Sequence, residues 1–150
     1  MMQRLVVVLL GLVVLAYVVA MTVTVDPEER RPGLTLSGDQ AADQQLSYTG
    51  RKKIHVQTRT WYGIPHSVTT TSWLVDGIVH VPCGRCDAKR WPRNVAADNR
   101  VVLKIDGELY PRQAILISDD VERERVLGAL GSENDLPPGV VVFRMEMPSV

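Results

Sequence analysis

The sequence has no excess of charge of either sign, because 17 basic and 17 acidic side chains balance. A nucleic-acid-binding protein normally presents a basic face, so this balance argues against a nucleic-acid partner. Aromatic residues are also scarce, at 5%, whereas apolar residues make up 45% and charged residues 23% of the chain. That mixture is typical of a globular protein, and a length of 150 residues predicts one folded domain.

The sequence also lacks the short motifs that identify several enzyme classes. No Gly-x-Ser-x-Gly elbow surrounds a serine, which argues against a serine hydrolase. Neither the Gly-x-x-x-x-Gly-Lys phosphate loop nor the Gly-x-Gly-x-x-Gly dinucleotide fingerprint occurs. No closely spaced pair of carboxylates falls in a predicted pocket, so the sequence leaves the catalytic residues unknown.

One long apolar segment stands at the N-terminus. No charged residue occurs between Arg4 and Asp26, and about 20 apolar residues in a helix span the core of a bilayer. Residues 1–25 are therefore predicted to form a single-pass transmembrane anchor, with residues 5–25 in the membrane. The alternative is a cleaved signal peptide, with Val18-Val19-Ala20 at the cleavage site. Because the short basic N-terminus resembles an export signal, the C-terminal domain is predicted to be extracytoplasmic.

The rest of the chain is predicted to be mainly β with two short helices. Residues 26–47 contain proline, glycine and many polar residues, as a linker does. Beyond them, Asp76-Gly77 and Asp106-Gly107 each separate two β-like runs, which indicates type I′ hairpins. The domain over residues 48–150 is predicted to be a small barrel with the helices packed at its ends. The predicted strands cover residues 54–60, 67–75, 78–81, 101–105, 108–117 and 140–147, and the predicted helices cover residues 89–97 and 120–130.

The two cysteines, Cys83 and Cys86, form a Cys-x-x-Cys pair, and three interpretations of this pair are open. In an exported domain they can be joined by a short disulfide that staples the loop. Arg85 and the nearby helix N-terminus can instead lower a thiol pKa and make a redox pair. Together with His80 they also offer three metal ligands, but a structural zinc site normally needs a fourth. No metal is therefore assigned.

Basic side chains are concentrated where the third strand joins the first of these helices. Lys89, Arg90 and Arg93 lie at a helix N-terminus, where unpaired backbone N–H groups and the helix dipole favour anions. These three cations can therefore hold a phosphate, and Trp91 can stack on or shield a ring. The alternative is a solvated basic loop in which Trp91 fills the core.

The order of these features resembles that of the FMN-binding split barrels, the superfamily of pyridoxamine-phosphate oxidases. The resemblance covers residues 54–130, about half of the chain, and is closest to the deazaflavin-dependent nitroreductases. Its elements are a strand, a Gly-x-Pro turn, a second strand ending in an aromatic and an Asp-Gly hairpin, then a Lys-x-Trp-x-x-Asn helix start. A paired hairpin and a Ser-Asp-x-x-Glu-Arg helix follow. In this sequence they are Thr58-Arg59-Thr60, Gly63-Ile64-Pro65, Ser72 to Gly77, Lys89 to Asn94, Val101 to Ala114, and Ser118 to Arg123.

The resemblance implies a split β-barrel, a homodimer, and a bound FMN or deazaflavin. It implies that Lys89 contacts a cofactor phosphate, that Thr70 and Thr71 line the ring, and that Arg59 flanks it. Asn94 belongs to the same helix-start motif as Lys89 and joins the cofactor-binding set. The whole predicted set is Arg59, Thr70, Thr71, Lys89, Arg90, Trp91, Arg93 and Asn94.

Three functions follow from these observations. The first is a membrane-tethered oxidoreductase that uses a flavin or deazaflavin for hydride transfer to a small organic acceptor. The second is a non-catalytic extracytoplasmic module that binds a ligand or partner on a degenerate split barrel, as the scarcity of acid–base residues indicates. The third is a thiol-redox protein that works through Cys83 and Cys86.

Overall fold

The computed structural model describes residues 2–131 and 139–149 of the chain. A long helix stands first, and six strands and two short helices follow. The predicted fold class, mainly β with two short helices after an apolar N-terminal helix, is confirmed. The elements are α1 (Met2–Thr22), β1 (Arg51–Arg59), β2 (Pro65–Val75), β3 (Ile78–Cys83), α2 (Arg90–Ala97), β4 (Arg100–Ile105), β5 (Glu108–Leu116), α3 (Asp120–Leu130) and β6 (Val141–Glu146).

The six strands form a closed barrel in the order β1-β2-β3-β6-β5-β4, and every neighbouring pair is antiparallel. The pairing is uneven along β2. This strand pairs with β1 over its whole facing length, from Arg51–Trp73 to Arg59–Pro65. It pairs with β3 only from Trp73 to Val75. The first half of β2 therefore separates from β3, and this gap splits the barrel wall.

The two Asp-Gly hairpins form as predicted. Asp76 and Gly77 have φ values of 52° and 76°, and Asp106 and Gly107 have φ values of 53° and 91°. Positive φ at both central positions is the requirement of a type I′ turn, whose twist matches that of the strands it joins. These turns set the registers of β2 with β3 and of β4 with β5.

The two short helices begin for different reasons. α3 begins at Asp120, and the carboxylate of Asp119 accepts a hydrogen bond from the Glu122 N–H at 2.7 Å. The Glu122 side chain accepts from Arg144 of β6 instead of closing a capping box. α2 begins at Arg90, one residue later than predicted, because Lys89 has extended backbone angles (φ −97°, ψ 146°).

The core lies inside the barrel and below α2. Alternate residues of β1 and β4 point inward, including Ile54, Val56 and Leu103, each at most 1% exposed. This alternation is the period of two on which the strand prediction depended. A smaller cluster lies between α3 and β6 and contains Val126, Leu130 and Val142.

α1 has a mean hydropathy of 2.9 over Gln3–Thr22, and its side chains are exposed. It is long and apolar enough to cross a membrane, and an N-terminal signal sequence passes the same test.

Residues 26–47 follow α1 and run along the barrel. Gly33 forms a β-bridge with Ser67, Gln40 forms one with Leu109, and Leu36 is 3% exposed. The division into anchor, linker and domain stays a prediction. Residues 132–138, which precede the last predicted strand, lie outside the described residues.

Candidate functional site at the split of the barrel

A cavity of about 470 Å³ lies at the split between β2 and the start of α2, and we call it the split cavity. Three segments surround it. The first half of β2 forms one wall, residues 88–91 form the opposite wall, and residues 28–32 cover it. Its lining residues are Glu28, Glu29, Arg30, Arg31, Pro32, His66, Val68, Thr69, Thr70, Ala88, Lys89, Arg90 and Trp91.

The cationic wall follows from the way the chain enters α2. A 3₁₀ turn over Cys86–Ala88 ends at Lys89, whose N–H donates to the Cys86 carbonyl at 3.2 Å. Pro92 is tolerated in the first turn of α2, where its missing N–H leaves no bond unmade. Lys89 makes no side-chain cap, and both Lys89 and Arg90 are exposed at the cavity. Two cations therefore stand beside a helix N-terminus, the arrangement that binds anionic groups.

Trp91 and Asn94 support this wall from inside. Trp91 is 3% exposed, and its ring centroid lies 4.8 Å from that of Phe143. Its large apolar surface therefore packs in the core, with only an edge at the cavity. The Asn94 amide donates to the Thr58 hydroxyl at 2.9 Å and is buried. Both residues were predicted to bind cofactor, and the structure places them where they fix the orientation of α2.

The β2 wall contributes His66, Val68, Thr69 and Thr70 to the cavity. Thr70 and Val68 face Ile54 and Val56 across the β1–β2 ladder, and paired residues of antiparallel strands point to the same side. Thr70 lines the split cavity, and its contact with a cofactor ring stays a prediction. Thr71 pairs with Lys53 on the opposite face and is not among the residues that line this cavity.

Two other predicted site residues lie elsewhere. Arg59 lines a separate cavity of about 330 Å³ together with Asp98, Arg100 and Arg112. Arg93 lies one turn along α2 and lines an apolar groove with Cys86 and Val95, while its Nε donates to the Lys89 carbonyl at 3.3 Å. The structure thus joins Lys89, Arg90, Trp91 and Thr70 at one cavity and separates Arg59, Thr71 and Arg93 from it. Sequence spacing does not distinguish these two groups.

His66 is a lining residue that the sequence analysis did not select. Its side chain is 8% exposed. Burial lowers the pKa of His66 below its usual 6.5, and the positive charge of Arg90 adds to this effect. The imidazole is therefore neutral at pH 7 and offers the cavity one donor and one acceptor nitrogen. His66 and Arg90 come together because α2 packs against β1 and β2.

The cover over the cavity comes from the segment predicted as a linker. Asp26 accepts hydrogen bonds from the Lys104 ammonium at 2.5 Å and from the Ser37 hydroxyl at 2.5 Å. Burial by itself would raise the pKa of Asp26, but these bonds outweigh it and lower the pKa to about 2. Lys53 also pairs with Glu29. These ion pairs place residues 28–32, with their four charged side chains, beside the cavity. In the sequence, a few apolar residues such as Leu34 and Leu36 in this otherwise polar segment are the signal of its packing.

Cys83 and Cys86 form a disulfide, with their Cα atoms 5.4 Å apart. Cys83 ends β3 and is fully buried, whereas Cys86 begins the 3₁₀ turn and is partly exposed at the apolar groove. His80 is buried, and its Nδ1 donates to the Ile78 carbonyl at 2.9 Å. Over residues 2–131 and 139–149, no three His, Cys, Asp or Glu side chains are grouped as metal ligands would be.

Comparisons with known proteins show similarity at the level of fold. No family model matches the sequence, and no curated protein matches it. A protein of unknown function from Agrobacterium tumefaciens matches with a TM-score of 0.53 at 16% identity, over 69% of this chain and 51% of that one. This chain thus spans about half of that protein. A protein from Listeria innocua provisionally assigned as a pyridoxamine 5′-phosphate oxidase matches with a TM-score of 0.48 at 18% identity, over 62% of this chain and 81% of that one.

Proposed function

We propose that this protein is a membrane-tethered oxidoreductase that holds FMN or a deazaflavin in the split cavity and transfers hydride to a small organic acceptor. One observation carries the proposal: Lys89 and Arg90 converge with Thr70 and Val68 on a single cavity of about 470 Å³. Pockets for cofactors and other small ligands are typically ~300–1,000 Å³, lined by apolar groups with a few placed polar ones.

The residues of the cavity fit the two halves of such a cofactor. A phosphate carries about two negative charges at neutral pH, and Lys89, Arg90 and the N–H groups of the α2 start can neutralise them. On the opposite wall, Val68 offers apolar contact for a planar ring, and the Thr70 hydroxyl can hydrogen-bond its polar edge. Glu28 and Glu29 in the cover are unfavourable neighbours for a phosphate, so we place the phosphate at the α2 wall and the ring toward β2.

When bound, the flavin or deazaflavin would supply the hydride chemistry, and the protein would supply binding and orientation. The α2 wall would hold the phosphate end, and the β2 wall would contact the ring. Residues 28–32 would lie over the bound group. His66, neutral at pH 7, offers a hydrogen bond without adding charge beside Arg90.

The first experiment is an absorbance spectrum of the full-length protein gently solubilised from its native membranes. A flavin or deazaflavin band at near-stoichiometric amount supports the proposal. A protein that is colourless, and stays so after FMN or deazaflavin is added, overturns it and favours the non-catalytic binding module.

A variant pair tests the position of the site. The double substitution Lys89→Ala and Arg90→Ala would remove two charge-assisted hydrogen bonds to the phosphate, each worth ~1.5–3 kcal/mol, so FMN affinity should fall by roughly 100-fold or more. Arg93→Ala removes one cation from the same helix, but outside the split cavity, and should leave the affinity within about twofold. Equal losses in both proteins would contradict this site.

We also propose that the C-terminal domain is extracytoplasmic and that α1 remains as its anchor. The Cys83–Cys86 disulfide supports this orientation, because disulfides persist in oxidising compartments. A C-terminal alkaline phosphatase fusion, active only outside the cytoplasm, tests it. A fusion that is expressed but inactive would show that the C-terminal domain lies in the cytoplasm.

A second candidate function is thiol–disulfide exchange, which the unequal exposure of the two cysteines favours. A substrate thiolate would attack the Cys86 sulfur at the apolar groove, breaking the disulfide and releasing Cys83 as a thiolate that takes up a proton. A second substrate thiol would then displace Cys86, leaving an oxidised substrate and two reduced cysteines. In Cys83→Ala, the Cys86 thiolate should attack a peptide that carries an internal disulfide, which gives a mixed disulfide through Cys86 and leaves the peptide's other cysteine as a thiol. Failure to form that adduct would exclude this function.

A further inference from the structure

The turn between β1 and β2 carries two aromatic side chains that do not pack in the core of the barrel. Trp61 is 89% exposed and Tyr62 is 41% exposed, and their rings meet edge to face with centroids 5.1 Å apart. Hydrogen bonds from the Thr60 and Gly63 N–H groups to the Ile64 and Thr60 carbonyls hold the turn in one conformation. Adjacent exposed apolar side chains of this kind can mark a surface that contacts a partner or a membrane.

This turn lies against the apolar helix α1. The Tyr17 hydroxyl donates a hydrogen bond to the Tyr62 carbonyl at 2.8 Å. Gly63 has a φ of 89°, and a Cβ at that position would meet the Tyr17 hydroxyl at 2.9 Å. A side chain at Gly63 would be strained by this φ and would displace the Tyr17 hydroxyl.

The depth of the contact follows from helix geometry. Tyr17 lies five residues before Thr22, the last residue of α1, which is about 7.5 Å along the helix axis at 1.5 Å per residue. A helix of 21 residues is about 31 Å long, close to the ~30 Å thickness of a bilayer core. Tyr17 thus lies in the last third of α1, and the β1–β2 turn contacts the helix near the end that leaves the bilayer core for the lipid headgroups. Tryptophan and tyrosine are enriched at that level because each has an apolar ring and a polar group.

The charge beside the turn is complementary to a lipid headgroup. Arg59 and Arg100 are exposed at the base of the turn, where they line one cavity with Pro65. Arg100 is paired with Asp98 at 2.7 Å, whereas Arg59 has no ion pair among residues 2–131 and 139–149. A cation just outside an aromatic pair suits the phosphate layer of a bilayer.

We propose that the β1–β2 turn inserts Trp61 and Tyr62 into the headgroup region of the bilayer that α1 crosses, so that the barrel is held by two points and not by a tether alone. This inference rests on the proposed membrane insertion of α1. It gives the barrel one fixed orientation to the membrane, with the 59–64 turn toward the lipid. The occupant of the aromatic surface is the lipid itself.

Fluorescence quenching tests the contact in the full-length protein reconstituted in phosphatidylcholine vesicles. The chain has three tryptophans; Trp91 is buried in the core, and Trp73 lies eight residues along β2 from Pro65, ~26 Å from the turn. In vesicles with acyl chains brominated near the headgroup end, the wild type should lose roughly a third of its emission, since one of three indoles touches lipid. Trp61→Phe should abolish this loss, and the matched Trp73→Phe should keep it.

Flotation of the same vesicles after carbonate extraction separates the two possible failures. Protein that stays in the vesicles, with quenching that is absent or unchanged by Trp61→Phe, overturns the turn contact and leaves the anchor intact. Protein that is released overturns both the anchor and the contact. Retained protein whose bromine quenching depends on Trp61 establishes the contact.

Discussion

The side-chain amide of Asn94 donates a hydrogen bond to the Thr58 hydroxyl, 2.9 Å away, and Thr58 in turn donates to the His66 carbonyl at 3.1 Å. All three side chains are buried. The chain of bonds connects α2 to β1 and β2 next to the split cavity. The cationic wall and the β2 wall are therefore held to each other by an interaction that touches neither Lys89 nor Thr70.

Replacing Asn94 with alanine should destabilise the fold. The substitution removes a buried hydrogen bond and leaves a polar partner less satisfied, which costs about 1–3 kcal/mol. Denaturant unfolding of wild type and Asn94→Ala measures the difference. Arg93→Ala, an exposed change in the same helix, should stay within about 0.5 kcal/mol of wild type. If the two variants had equal free energies of unfolding, the hydrogen bond of Asn94 would not stabilise the fold.

The attachment of residues 26–37 should weaken in acid. Because the folded pKa of Asp26 is about 2, below the usual 3.8, its carboxylate contributes stability that is complete above about pH 4 and lost as the pH falls toward 2. Asp26→Asn should therefore lower stability at pH 7 by about 1 kcal/mol, after allowance for partial exposure. It should also flatten the pH dependence between pH 4 and 2. Asp39→Asn, an exposed change two residues beyond this segment, should do neither.

His80 should make the fold less stable in mild acid. Burial lowers its pKa below the usual 6.5, so the folded state disfavours the charged ring. Its stability contribution is complete above about pH 6.5 and declines as the pH falls below that value. Its Nε2 is buried without a hydrogen-bond partner among the described residues, so protonation would leave a charged donor unsatisfied. The midpoint of thermal unfolding should therefore fall less steeply between pH 7.5 and 5 for His80→Phe than for the wild type. Identical slopes of midpoint against pH in the two proteins would contradict this prediction.

The disulfide should contribute stability whatever its redox role. A bridge that closes a loop of four residues removes about 2 kcal/mol of unfolded-chain entropy. The double substitution Cys83→Ala and Cys86→Ala should lose about that amount in denaturant unfolding, plus a small cost for the buried Cys83 side chain. Wild type treated with dithiothreitol should approach the same stability. An unchanged midpoint in both would show that the bridge does not constrain the chain.

The elements that sequence reasoning predicted correctly are those with local causes. Asp76-Gly77 and Asp106-Gly107 can adopt positive φ with little strain, so the hairpins follow from two residues each. α3 begins and ends as predicted because Asp119 caps its first turn. Lys89 and Arg90 were selected for their place at a helix start, which is also local. Thr70 was selected by resemblance, and the structure brings it to the same cavity.

Sequence reasoning did not predict which side chains share the split cavity, as three residues show: Arg59, Thr71 and Arg93. Each lies within one or two residues of a residue at the split cavity or in its support, yet each points to another surface. A strand reverses its side chains at every residue and a helix turns them by about 100°, so neighbours in sequence are not neighbours in space. The face that lines a cavity depends on what packs behind it.

The sequence by itself determined the apolar helix, the two hairpins, the helix starts and the mainly β character of the domain, because each depends on backbone preferences or on periodicity within a few residues. Tertiary structure alone decided that β1 closes on β4, that β6 lies between β3 and β5, and that residues 28–32 cover the cavity. It also decided that Trp91 and Asn94 are buried while Trp61 is exposed beside α1. These outcomes depend on contacts between segments that are distant in sequence. The energies of those contacts come from packing and desolvation in the closed barrel, so no local sequence pattern predicts them.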